Sequence, residues 1–182
     1  MKMLPLLITI GPLLGALLTV AAADTTNSAP TIGVYDSRAV AYAHFWSAPN
    51  QKKLQEKITA AKAAKQAGDS VKFNELAAAL KAQQAENHRQ VFSTAPVNEA
   101  METIKDRLPE IQKQAGVSVI ISKWDETTLA KYKMATRVDV TDKLVREFIE
   151  PDEKQARIIS SIEKSKPISL EKCDELIRKG EI

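Results

Sequence analysis

Two histidines, one cysteine and 23 carboxylates are the side chains with which this chain of 182 residues could hold a metal, activate a nucleophile or move a proton. Their spacing argues against all three. His44 stands beside Phe45 and Trp46, His88 falls in a separate alanine-rich stretch, and Cys173 lies near the carboxyl end. A zinc site draws on several such ligands at short spacings, so this inventory is a poor one. There is no Gly-x-Ser-x-Gly elbow and no His-Glu-x-x-His pattern. None of the six glycines precedes Lys-Ser or Lys-Thr, as an ATP-cradling loop would require. The adjacent acids Asp125-Glu126 and Asp152-Glu153 suit helix starts, where carboxylates complement the helix dipole, better than a bond-cleaving pair. These residue types predict a protein that is not an enzyme, with no catalytic residue, metal or cofactor.

Charge narrows the partners. The formal net charge is +3, and one unit leaves if Lys2 is removed with a leader. Acids and bases are interleaved, which is too even a balance to argue for nucleic acid. One basic run stands out: Lys52, Lys53, Lys57, Lys62 and Lys65. Its plain reading is a solvated helix face. Its functional reading is contact with acidic clients or with an anionic membrane surface.

The elements that would position these groups can be read from apolar spacing. Thr31–Tyr35 alternates as a strand does, with Ile32 and Val34 on one side, and Val117–Ser122 does the same with Val117, Val119 and Ile121. Between them the steps Leu54, Ile58, Ala61, then Phe73, Leu76, Leu80, then Val97, Met101, Ile104, Leu108, Ile111 each mark one face of a helix. Ala67-Gly68-Asp69-Ser70 suits a reversal, so residues 50–116 read as a projecting antiparallel helical hairpin. Its many alanines favour helix and close approach but bury little apolar area. Asp36 or Ser37 would cap a short helix carrying Tyr42, Phe45 and Trp46, whose rings read as core. Asn50 would cap the next, after the interruption at Pro49. Pro109 is expected to kink the helix over 97–115, and Gly116 to end it. Leu129–Met134 reads as an edge strand. Asp139 or Thr141 would cap a helix with Leu144, Val145 and Phe148. Two apolar stripes follow, one opened by Pro151 and one capped by Ser169.

Residues 1–23 have the pattern of a cleaved signal peptide, with Lys2, an apolar run from Leu4 to Val20 and Ala21-Ala22-Ala23 ahead of Asp24. This predicts a periplasmic protein, with secretion as the alternative. Residues 24–30 read as a flexible lead-in. A lone cysteine closes no internal disulfide, so packing or association must hold the fold.

This order of parts resembles the Skp (OmpH-like) periplasmic chaperone family over about residues 31–149. The likeness rests on Ile32-Gly33-Val34-Tyr35-Asp36 with its helix, the long helical insert, Gly116-Val117-Ser118-Val119-Ile120-Ile121, and Asp139-Val140-Thr141-Asp142-Lys143-Leu144-Val145. It implies an α+β, mostly helical fold, with a small β body at 31–49 and 117–149, an arm at 50–116, and a helical extension at 150–182. It further implies a homo-trimer joined through Ile32, Val34, Val117, Val119 and Ile121, holding unfolded outer-membrane or exported proteins without ATP. Leu54, Ile58, Phe73, Leu76 and Leu80 would face the client. The competing expectation is an envelope adaptor that binds one folded partner through residues 150–182.

Overall fold

Thr31–Tyr35 forms β1, the middle strand of a sheet ordered β2-β1-β3, with β2 at Ile120–Ser122 and β3 at Thr136–Asp139. The structure, a computed structural model, describes residues 29–182; the signal peptide expected at 1–23 and most of the expected lead-in lie outside them. Both outer strands run parallel to β1, so each return to the sheet needs a crossover. The chain is α+β and mostly helical, and the long first crossover supplies most of the helix. Gly33 is glycine for a packing reason: a Cβ there would meet Ile120, Val117 and Val140 at 3.2–3.3 Å.

α1 (Ser37–Trp46) starts where the Asp36 carboxylate accepts the Arg38 amide. α2 (Ala48–Gln66) follows without delay. Its N-cap position is Ser47, with proline in the first turn, where a missing amide hydrogen is harmless. Asn50 is therefore not the cap; its amide donates back to the His44 carbonyl. After the left-handed Gly68, α3 (Ser70–Phe92) returns alongside α2. Lys57 donates to Gln83, and the Lys65 ammonium lies 5.7 Å from the centre of the Phe73 ring. Only Ala61 and Ala64 of α2 are buried, and no residue of α3 is. Helices of this length span roughly 28 and 34 Å at about 1.5 Å per residue. Little apolar area holds them together.

The helix expected over 97–115 is broken into α4 (Asn98–Thr103), a 3₁₀ turn at Lys105–Arg107 and α5 (Leu108–Ala115). Pro109 does not kink a continuous helix; it sits in the first turn of α5. The apolar phase survives the break, because Ala100, Ile104 and Ile111 all enter the core cluster with Val40, Leu144 and Tyr35. Leu129–Met134 is also not a strand. Asp125 accepts the Thr128 amide and starts α6 (Glu126–Leu129), a 3₁₀ turn follows at Ala130–Tyr132, and the edge strand begins only at Thr136.

The expected single face of Val117, Val119 and Ile121 is divided. Ser118 bends the chain, so Val117 packs under Gly33 beside Ile120 and Val140, while Val119 and Ile121 pack with Ile32 and Leu129 on the other face. Val140 just before α7 (Thr141–Arg146) offers no side-chain cap, but the Asp139 carboxylate accepts the Thr141 amide at 2.8 Å, and the Thr141 hydroxyl accepts the Asp36 amide. α8 (Glu153–Lys164) is opened by a capping box of Asp152 and Gln155 rather than by Pro151. α9 (Leu170–Lys179) is capped by Ser169. α8 places Ile159 and Ile162 against Ala39, Tyr42 and Ala43, and α9 buries Cys173 completely.

Candidate functional site

Two places concentrate unusual side chains. The first lies at the carboxyl ends of the three parallel strands, a common ligand position in sheets of this kind. Asp36 follows β1 and is fully buried beside Arg38, which is 1% exposed. The Arg38 guanidinium donates to Asp36 Oδ2 at 2.8 Å and to Oδ1 at 3.1 Å. Lys123, just after β2, reaches Oδ2 at 2.6 Å, and the Trp124 indole donates to Oδ1 at 3.1 Å. Arg38 also donates to the carbonyls of Ile162 and Ser165, at 2.6 and 3.0 Å, which ties the end of α8 to this junction. Burial works against the Asp36 charge, but the hydrogen bonds from Arg38, Lys123 and Trp124 outweigh it and hold its pKa below 3.8. Both Asp36 oxygens and all three guanidinium nitrogens are engaged by the same chain, so this junction reads as a fastening.

The second place is a groove of about 760 Å³ between α1, the facing sides of α2 and α3, and α8. That volume suits a ligand or a short chain segment. Tyr42, Phe45 and Trp46 line one end of it with Val91 and Phe92. The rings expected to be core therefore border open space: Tyr42 is buried, but Trp46 is 43% and Phe92 44% exposed. They fall there because Phe45 and Trp46 are the last residues of α1, past the part covered by α7 and α8. Phe45 and Trp46 meet edge to face at 5.2 Å, as do His88 and Phe92 at 5.6 Å.

Of the five arm residues expected to face a client, Leu54, Ile58 and Leu80 line this groove. Phe73 and Leu76 do not; Phe73 lies nearer the turn, beneath Lys65. Ile32 and Ile121 are buried in the sheet of a single chain with Val34 and Val119 packed against them, and Val117 is buried on the other face beside Val140. His88 lies in the groove lining, and its Nδ1 is buried with no hydrogen-bond partner among the described residues. A buried polar atom without a partner is costly. His44 is elsewhere, edge-on to Phe148 at 5.3 Å; burial holds its pKa below 6.5, opposed by Glu99 and aided by Lys53.

Sequence reasoning missed His88, Val91 and Phe92 as groove residues. The signal was present, since Leu80, Gln84, His88 and Val91 continue the same helix face. It missed the Asp36–Arg38 junction too, because nothing local marks the distant carbonyls of Ile162 and Ser165. Among the described residues no three His, Cys, Asp or Glu side chains gather as a metal site would need. No helix among them is long and apolar enough to cross a membrane. No family model, no curated protein and no solved structure matches the chain.

Proposed function

We propose that this protein is an ATP-independent holdase of the bacterial envelope, which keeps unfolded outer-membrane or exported proteins from aggregating. In this reading α2 and α3 form a projecting antiparallel hairpin of the Skp type, and client segments lie in the groove at its base. The observation that carries it is the groove itself, whose aromatic and aliphatic lining is open to solvent. Exposed apolar surface gathered in one concave place marks a binding site more often than a defect. The thin packing between α2 and α3 also suits an arm that must open for varied clients and release them without ATP.

The same reading takes the protein as a periplasmic homo-trimer, with secretion as the alternative location. Two features support association. Thr136, Arg137 and Asp139 leave the outer edge of β3 exposed, and open strand edges in a small sheet call for cover. Repeating the groove around an axis would multiply weak contacts to one disordered chain. The exposed lysines of α2 leave a solvated face for acidic clients or an anionic membrane surface. The adaptor reading has less support, because Ile159, Ile162 and Cys173 of the extension are buried on their own chain.

The test is the processed protein, weighed in solution and mixed with an unfolded outer-membrane barrel at one trimer per client. The expected result is a trimer that delays aggregation, and Leu54→Asp with Leu80→Asp removes the delay while the fold persists. A monomer that leaves aggregation unchanged overturns the proposal.

A further inference from the structure

β2 has one neighbour in the sheet, so its other edge is open. Gly33 donates to the Val119 carbonyl and Lys123 to the Tyr35 carbonyl, at 2.8 Å each. Residues 119, 121 and 123 therefore face β1, and the amides of Ile120 and Ser122 and the carbonyl of Ile120 point away from it. None of these three groups meets a partner among the described residues; the Ser122 carbonyl is taken by the Asp125 amide. A cleft of about 430 Å³ runs between this edge and the segment Thr94–Asn98. At the carboxyl ends of the strands it reaches Tyr35, the last residue of β1, and Ser37, the first of the ten-residue α1. Tyr35 is 7% and Ser37 3% exposed, and neither hydroxyl has a hydrogen-bond partner among the described residues. His88 Nδ1 is the one side-chain atom among them that is both unpartnered and shut from solvent, so the two hydroxyl oxygens keep surface open to the cleft. We propose that this cleft binds the carboxyl-terminal end of a polypeptide, laid parallel to β2 with its terminal carboxylate at Tyr35 and Ser37. The site is separate from the groove, and the proposal does not depend on the holdase reading.

Complementarity sets the occupant, its direction and its end. Alternating amide and carbonyl groups on an open strand edge are matched by the main chain of an extended segment, whose own groups repeat at the same spacing. From Ile120 to Ser122 the edge advances about 7 Å at about 3.3 Å per residue, which takes two or three residues of the segment. Laid parallel to β2, the segment ends beside the start of α1, where the helix dipole favours an anion. The charge of the cap residue Asp36 is already offset there by Arg38 and Lys123. Both hydroxyls can donate to a carboxylate, and bonds to an ionised acceptor are the stronger kind. Burial, aided by Asp125, pushes the Tyr35 pKa up to about 12, so that hydroxyl keeps its proton. The edge of a second copy's sheet would offer the same main-chain groups but no carboxylate for the two hydroxyls. Ala95 and Val97 are buried in the cleft wall, which suits a short aliphatic side chain on the terminal residue. Asp125 is exposed at the rim and opposes the incoming charge, an effect that solvent weakens.

The test uses a soluble dye-labelled octapeptide ending Thr-Val-Thr-Val, with its terminal carboxyl either free or amidated, bound to the intact processed protein. Anisotropy is expected to show the free-carboxyl peptide binding about tenfold tighter than its amide. Proline at the second and third positions from the end, which removes two amide donors, should weaken the free-carboxyl peptide by a similar factor. Tyr35→Phe and Ser37→Ala should each bring the two ends to within about threefold of one another, chiefly by weakening the free-carboxyl peptide. Asp125→Asn, which keeps a capping side chain, should tighten the free-carboxyl peptide about twofold. Bound peptide should slow hydrogen exchange at the amides of Ile120 and Ser122. The proposal falls if the free and amidated ends bind within twofold of each other, or if both hydroxyl variants leave the tenfold preference intact. Slow exchange at Ile120 and Ser122 in the protein alone would mean that its own chain or a second copy already covers the edge, and also overturns it. Barrel aggregation separates this proposal from the holdase reading: delay without a carboxyl preference leaves only the holdase, and a carboxyl preference without delay leaves only this site.

Discussion

The junction at Asp36 and Arg38 and the groove beside His88 are built from opposite materials. The junction is charged and hydrogen-bonded around the fully buried Asp36 and Arg38, and it joins β1, β2, α7 and the end of α8. The groove is apolar, open and carries an unpaired nitrogen. A protein whose fastening lies in one region and whose unsatisfied surface lies in another can change its arm without loosening its body. The difference assigns stability to the first region and binding to the second.

The largest effects should separate them. Arg38→Ala leaves the buried Asp36 carboxylate with Lys123, Trp124 and the residue-38 amide but without the guanidinium, and frees the end of α8. It is expected to cost about 3–5 kcal/mol, read from a denaturant midpoint, as loss of one partner of a buried pair does. Leu80→Ala, at a half-buried groove position, is expected to cost less than about 1 kcal/mol on the same scale, well under the value for a full core leucine. Comparable losses at the two sites would erase the distinction. Gly33→Ala belongs with the junction: Val117, Ile120 and Val140 must each give way, at a cost of roughly 1–3 kcal/mol, with the groove intact.

Acid titration sharpens the comparison from the body's side. The Asp36 pKa lies below 3.8 in the fold, so its stabilising contribution is present above that value and is lost as pH falls through the folded pKa. Glu163, at the end of α8, has the opposite sign. The side chain is exposed, but desolvation on its inner side and Asp139 raise its pKa above 4.5, with Asp36 and Asp142 adding to the shift and Lys123 opposing it. Whatever it contributes is present below 4.5 and lost as pH rises through its folded pKa. Glu163→Gln should therefore raise the thermal midpoint at pH 7 and change it little at pH 4. A stabilisation as large at pH 4 as at pH 7 would refute the assignment.

The smallest effect concerns the tail. Cys173 is fully buried on the inner face of α9, and burial with the nearby Asp174 raises its thiol pKa, against the pull of Arg89. Labelling should be slow and paced by release of α9 from α3. Asp174→Ala removes the 2.6 Å bond to Arg89 and should speed labelling a few-fold, with client binding in the groove unchanged.

Much of the body was legible because its signals are local. The alternation Thr31–Tyr35, the cap at Asp36, the left-handed Gly68 and Gly116 and the cap at Ser169 are set by neighbours in sequence. The errors fall where distant residues decide. Pro109 and the phase of Leu108 and Ile111 fit a kink or a new start equally, and the 3₁₀ turn before it chose the second. Leu129 looked like strand because it is buried against Ile32 and Ile121, a tertiary fact that a short helix satisfies as well. In the site, Leu54, Ile58 and Leu80 were legible from helix periodicity. Phe45 and Trp46 were placed in the core because ring size suggests burial, and only the ends of α7 and α8 decide how far that burial extends.

Hydrogen exchange of the processed protein with and without an unfolded outer-membrane barrel protein tests the central claim most directly. The account predicts that the client slows exchange at Leu54–Ile58 and at Ala77–Phe92, and leaves β1 and the Asp36–Arg38 junction as they were. Protection confined to the extension at 150–182, or to the outer face of the sheet, would contradict it.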